Sequence, residues 1–304
     1  MKQIRLPLFI ALGVAVLGIV LGSFFDLPIS QAIASADNGF ALTVSAIGPT
    51  IAFAAVAAMG GGFVAFIAKG QYHIALKVLF GVLAAACLGV AIYYPAGEYF
   101  GVNGFYGAAP EWIGYLIVII PECAAMAGGY FLFRDFQNKN LWIVFCIVIA
   151  ILVIALLGAV NGLKGLIHRP RFRLLVAEQG NPDIFFHNWW EPTKNYKDLI
   201  ATYGIHKDNF KSYPSGHTAE ASIVLVAFTF LPLAHKKFER WQLPLFLGGS
   251  ALVLLVAFAR ILAAAHFLSD VSWGAAIQLI LTIIANEVII HIKALHPEEE
   301  APAE

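Results

Sequence analysis

Residues 141–171 read LWIVFCIVIAILVIALLGAVNGLKGLIHRPR. The stretch 141–163 carries no charge, and Lys164, Arg169 and Arg171 then follow within eight positions. The first part exceeds the ~20 apolar residues that a helix needs to cross a bilayer. The second part is too charged to enter hydrocarbon at low cost. One boundary therefore sets both a membrane crossing and a place where positive charge is kept at the membrane edge.

The same pattern extends along the 304-residue chain, in which 60% of residues are hydrophobic and 12% charged. A soluble domain carries about 25% charged residues; the mean hydropathy here is +0.79. Apolar runs at 6–25, 43–68, 74–94, 112–133, 141–163, 217–234, 243–262 and 270–292 predict an all-α, polytopic membrane bundle of about eight transmembrane helices. Basic residues sort between its ends. Lys2 and Arg5, Lys69 and Lys77, Arg134 and Lys139, Lys236, Lys237 and Arg240, with His235, and finally Lys293 fall on one side. The first and third loops carry Asp26, Asp37, Glu98 and Glu111 but no Lys or Arg. The positive-inside rule then places both termini in the cytoplasm of a multi-pass inner (plasma) membrane protein. The basic start followed by an apolar run is expected to stay as a helix, because the run is longer than the 7–15 residues of a signal peptide core.

Three parts are expected: N-terminal transmembrane helices over 1–140, a helical core over 141–292 with an extracytoplasmic loop at 164–216, and an acidic cytoplasmic tail at 293–304. Within the loop, 172–213 is rich in charge and aromatic residues, including Phe185, Phe186, Trp189, Trp190, Tyr196 and Tyr203. It reads as too short for a core of its own. The Trp pair is expected at headgroup level, in a lid or a membrane-resting connector. Cys87, Cys123 and Cys146 all fall in apolar runs, so neither a disulfide framework nor a metal spacing is present.

Three polar segments reach the same outer face by the span count. They are Lys164 to Arg171, Pro214-Ser215-Gly216-His217, and Arg260 through His266 to Asp270. Lys164, Arg171 and Arg260 supply cations suited to a tetrahedral anion, Arg by two-point contact and Lys as a point charge. Ser215 and Gly216 open the sixth span, where unpaired backbone N–H groups suit phosphate oxygens. His266 and Asp270, four residues apart at a helix start, share a face. The carboxylate is expected to take a hydrogen bond from the imidazole and leave the other ring nitrogen free to attack.

These segments, KGLIHRPR at 164–171, PSGH at 214–217 and RILAAAHFLSD at 260–270, resemble the three-part signature of the type 2 phosphatidic acid phosphatase superfamily. The spacings Lys-x6-Arg, PSGH and Arg-x5-His-x3-Asp agree in chain order, and the likeness covers roughly 160–275. The resemblance implies a bacterial-type membrane lipid phosphatase that needs no metal and no cofactor. It implies His266 as the nucleophile, Asp270 as its orienting group, and His217 as the general acid. Lys164, Arg171, Ser215, Gly216 and Arg260 would hold the phosphate. Two positions depart from the family pattern: Phe172 stands where Pro is usual, and Ala259 where Ser is common. Arg169 is an alternative second cation, and spacing favours Arg171.

The expected activity is hydrolysis of a lipid phosphate monoester or diphosphate at the outer leaflet through a phosphohistidine. The partners are the lipid substrate and membrane lipids, with no nucleic acid. A phosphotransferase is the alternative, and an anion transporter the weaker one, because a transporter places its charges near midplane. Glu122, near the middle of the fourth span, is an ionisable group outside this site. Glu220 lies one turn beyond His217. No role is assigned to His73, His168, His187, His206, His235, His291 or His296.

Overall fold

The computed structural model describes residues 2–100, 111–135, 139–234 and 236–291; His235 and the tail 293–304 lie outside them. Among the described residues the regular structure is helical. The helices are α1 (Arg5–Ile33), α2 (Gly39–Lys69), α3 (Ile74–Phe100), α4 (Glu111–Phe133), α5 (Lys139–Ile167), α6 (Phe172–Ala177), α7 (Tyr196–Tyr203), α8 (Gly216–Ala221), α9 (Ile223–Ala234), α10 (Gln242–Leu262) and α11 (Leu268–His291). Seven are long and apolar enough to cross a membrane, and the chain is a multi-pass membrane protein.

The expected sixth span differs from the rest. It is a shorter apolar helix, Gly216–Pro232, interrupted at Ser222 between α8 and α9. Ser222 directs its Oγ to the Thr218 carbonyl at 2.7 Å, and the Leu225 N–H bonds back only three residues, to Ser222 O at 3.1 Å. A hydroxyl that competes for the i−4 carbonyl bends a helix in this way.

Local signals set the other ends. The Asn38 side chain accepts from Ala41 N at 2.9 Å and so caps α2, which stops at Lys69 before Gly70. With no polar face, α2 sits centrally, against α3 and α4 on one side and α10 on another. α11 is the second central helix, packed on α1, α8 and α5.

Ion pairs show which ends lie together. Arg5 Nε at the start of α1 meets Glu287 Oε1 near the end of α11 at 2.9 Å. Lys69 Nζ, closing α2, meets Asp135 Oδ1 just past α4 at 2.7 Å. At the opposite end of α1, Ser35 N donates to Leu262 O, the last residue of α10, at 2.6 Å. An even number of crossings between the first and last helices gives this arrangement.

The segment between α5 and α8 carries more structure than its length suggested. Leu174, Ile184, Leu199, Ile205 and Phe210 form a buried apolar cluster under α6 and α7. Trp189 is half-buried and tied to the bundle. Its Nε1 donates to Ser23 Oγ on α1 at 3.0 Å, and its ring packs against Tyr213 and Trp273, while Trp190 is exposed. The loop is therefore fastened to α1 and to the first turns of α11.

Candidate active site

Backbone bonds first draw the three polar segments together. Ser212 N donates to Arg169 O at 3.0 Å, Arg171 N to Asn209 O at 2.8 Å, and Ser215 N to Asp270 O at 2.9 Å. Arg173 N donates to Ala264 O at 2.9 Å. The close approach of Ser215 requires a glycine opposite: a Cβ on Gly274 would fall 2.5 Å from Ser215 O.

In the first segment, α5 runs to Ile167, so Lys164 lies in its last turn rather than in a loop. The Nζ of Lys164 reaches Gly216, where a Cβ would fall 3.1 Å from it and 3.7 Å from Glu220 Oε1. The chain then turns at His168, whose φ is 48° and whose ring stacks on Tyr196 with centroids 3.5 Å apart. Arg171 is buried at the start of α6. Phe172, in place of the family proline, opens α6 and packs edge-on to Phe267.

Arg169 is fully buried and its donors are committed to protein groups. Nε donates to His187 O at 2.8 Å, and Nη1 to Ser269 Oγ at 2.9 Å and Asp270 Oδ1 at 2.6 Å. Nη2 meets Asp26 Oδ2 at 2.9 Å, and the guanidinium lies 4.3 Å from the Phe267 ring centroid. This arginine holds the site together and is not presented to a ligand.

In the second segment, Ser215 caps α8 by accepting from Thr218 N at 3.4 Å and Thr218 Oγ1 at 3.1 Å, which leaves its own hydroxyl proton for another acceptor. Gly216 and His217 are buried in the first turn. In the third, Arg260 is buried in the last turn of α10, and its carbonyl takes both Ala265 N at 3.1 Å and His266 N at 3.2 Å. Ala264 adopts a φ of 55° to close this turn, an uncommon conformation for a residue with a Cβ. Ala259 is buried among Ala41, Ala263 and Ala265, which meet the space with small side chains.

His266 and Asp270 are arranged differently from the spacing argument. His266 lies two residues before α11, outside the helix, so the rule for i and i+4 partners does not govern it. Its Nδ1 meets Ser212 O at 2.6 Å, whereas Asp270 Oδ2 is 3.9 Å away. A carbonyl only accepts, so Nδ1 carries the proton and Nε2 presents its lone pair. Asp270 supports this arrangement from one step behind. Its Oδ2 accepts from Phe267 N at 2.9 Å and Ser212 Oγ at 2.6 Å, and so fixes the residue whose carbonyl orients the ring. Burial, followed by the positive charges of Arg171, Arg260, Lys164 and His217, holds the His266 imidazole well below its ordinary 6.5. The ring is neutral at neutral pH, and four positively charged or protonatable groups surround it.

Asp26 was expected as a loop charge. Instead α1 continues to Ile33 through Pro28, which places Asp26 inside the helix and almost fully buried. It accepts from Ser269 N at 2.9 Å and from Ser269 Oγ, beside its pair with Arg169. An acidic residue immediately after an apolar run was the only sequence signal for it. Among the described residues, no group of three His, Cys, Asp or Glu side chains is placed to hold a metal ion.

Residues 141–290 match the family model described as PAP2 superfamily. No curated protein and no solved structure matches the chain.

Proposed function

We propose, on the premise that this chain belongs to the PAP2 superfamily through residues 141–290 and is a membrane phosphatase in that general sense, that it hydrolyses a lipid phosphate monoester or diphosphate by way of a phosphohistidine. The observation that carries this reading is the neutral, buried His266, tautomer set by Ser212 O, with Arg171, Arg260 and Lys164 close enough to bear on its charge. A phosphate dianion placed among those cations would lie against the free Nε2. The nitrogen would attack phosphorus as the bond to the leaving oxygen breaks, and His217 would give that oxygen a proton. Water would then attack the phosphohistidine and lose its proton to His217, releasing inorganic phosphate and restoring His266. Lys164, Arg171, Arg260, Ser215 and Gly216 would hold the phosphoryl oxygens as negative charge builds on them.

The acid role makes His217 dispensable in the first step for a good leaving group. His217→Ala is expected to lower kcat on an alkyl phosphate by about 10²–10⁴-fold. The same variant should still release a first-turnover burst of p-nitrophenolate at near the wild-type rate, because the phenolate departs without a proton. The water step that His217 also serves then slows later turnovers. A p-nitrophenolate burst slowed as much as the alkyl phosphate would remove His217 from the acid role.

An apolar groove supports the lipid substrate. It measures about 810 Å³ and is lined by α1, α10 and α11, with Ile10, Val14, Leu254 and Phe258 along it. From Pro7 to Leu21 it follows α1 for ~21 Å, much of a hydrocarbon core of ~30 Å. Its upper end is formed by Thr218, Ile261 and Leu268, next to His217, Arg260 and the His266 turn. A hydrocarbon tail lying there would deliver its phosphate to the site without leaving the bilayer. Val14→Trp should raise KM several-fold for long-chain lipid phosphates and leave p-nitrophenyl phosphate turnover unchanged, as expected for lost tail binding. An unchanged KM for long-chain lipids would remove the groove from substrate binding. Phosphate release by purified protein from a panel of lipid phosphates and diphosphates, against a soluble sugar phosphate, tests the substrate class directly.

The charge bias of the loops supports a site on the extracytoplasmic side. In a background without native cysteines, Lys194→Cys should react with an impermeant maleimide in intact cells. Gln71→Cys, at the other end of the bundle, should react only after lysis. The reverse pattern would place the site in the cytoplasm.

A further inference from the structure

Outside the matched region, α4 buries a carboxylate that the hydrolytic site does not use. Glu122 is 0% exposed, and neither carboxylate oxygen has a hydrogen-bond partner among the described residues. Across the seam, Thr50 of α2 is also buried, with its Oγ1 in the same condition.

Helix geometry places these two groups on facing stripes at the same level of the seam. Positions 118, 122, 126 and 129 form one stripe of α4, and 46, 50, 57 and 61 one stripe of α2. Val118 packs with Ala46. Further along, a Cβ on Gly61 would fall 1.8 Å from Met126 O, and one on Gly129 1.9 Å from Ala58 O, so the two backbones touch. Contacts thus run from 46 and 118 to 58 and 129 in parallel. Glu122 and Thr50 each lie one turn beyond the Val118–Ala46 contact, inside a seam sealed at both ends. In-helix prolines, Pro49 and Pro121, immediately precede both residues and remove a backbone bond at each position. Oxygen groups on proline-interrupted membrane helices are a recurrent setting for small cations.

A carboxylate in such a place is costly unless a counter-charge accompanies it. The basic residues at the ends of the same helices, Lys69 and Arg134, are engaged with Asp135. We propose that Glu122 and Thr50 form an intramembrane binding site for a small monovalent cation of sodium size, for which a proton competes. Carboxylate and hydroxyl oxygens are ligands for a hard cation. A single positive charge cancels the carboxylate, whereas a divalent ion would leave net charge in the seam.

Dicyclohexylcarbodiimide, an apolar reagent that adds whole across a protonated carboxyl group, tests the site on the full-length purified protein. Mass spectrometry should find the adduct on Glu122 in sodium-free buffer. Sodium chloride should slow its formation about tenfold once its concentration exceeds the dissociation constant about tenfold, while choline chloride at equal ionic strength should not. Thr50→Val should still be labelled but lose the sodium protection, and Glu122→Gln should lose the adduct. Labelling that ignores sodium would reduce Glu122 to a protonated packing residue and overturn the proposal. So would the absence of labelling in protein that retains phosphate-releasing activity.

Discussion

Replacing His266 with alanine is expected to lower kcat by about 10⁴-fold or more while the protein remains folded and monodisperse. The imidazole combines a free lone pair with a fixed tautomer, through the 2.6 Å contact of Nδ1 with Ser212 O. The flanking cations stabilise developing charge but offer no nucleophile, so no neighbouring group takes over the bond to phosphorus. His266→Asn is the closer control. It keeps a donor for the Ser212 carbonyl and should be equally inactive. Activity in either variant within about tenfold of the wild type would remove His266 from the nucleophile's role.

The second large effect concerns stability. Arg169→Ala is expected to destabilise the protein by about 3–5 kcal/mol, the loss seen when one partner of a buried ion pair is removed. Its guanidinium lies between Asp26 and Asp270, both buried, and also serves His187 O and Ser269 Oγ. Without it two carboxylates face each other with their shared counter-charge gone. Thermal unfolding in detergent, followed by circular dichroism, should show a midpoint lower by on the order of 10 °C. Arg169→Ala with Asp26→Asn should recover part of the loss, since one of the stranded charges is then absent. A midpoint unchanged in Arg169→Ala would mean that the cluster does not hold α1 to the catalytic turn.

Charge-free runs bounded by charge made the helices legible, because burial in hydrocarbon tolerates little else. The polar segments were legible for the same reason: Lys164, Arg171, Arg260 and His266 stand where charge is expensive. Other features carried no such mark. Ser212 orients His266 through a backbone carbonyl, which every residue possesses, so no spacing could single it out. Asp26 was hidden by the end of its apolar run, because α1 continues beyond it through Pro28. The expected pairing of His266 with Asp270 assumed a helix that in fact starts at Leu268. Arg169 and Arg171 are alike in a sequence two positions apart. Only the structure separates the one consumed by Asp26 and Asp270 from the one whose charge bears on His266. The break at Ser222 was equally silent, since a serine in an apolar run is ordinary.

The central claim is that phosphate passes through a covalent bond to His266. The direct measurement is an alkaline quench of purified protein within the first turnover of a phosphate-labelled lipid, followed by peptide mass spectrometry. Phosphate on the ring nitrogen of His266, absent from His266→Asn and lost on mild acid treatment, is the predicted result. Rapid phosphate release with no label on His266 at any time within the turnover, or label on another residue, would contradict the account.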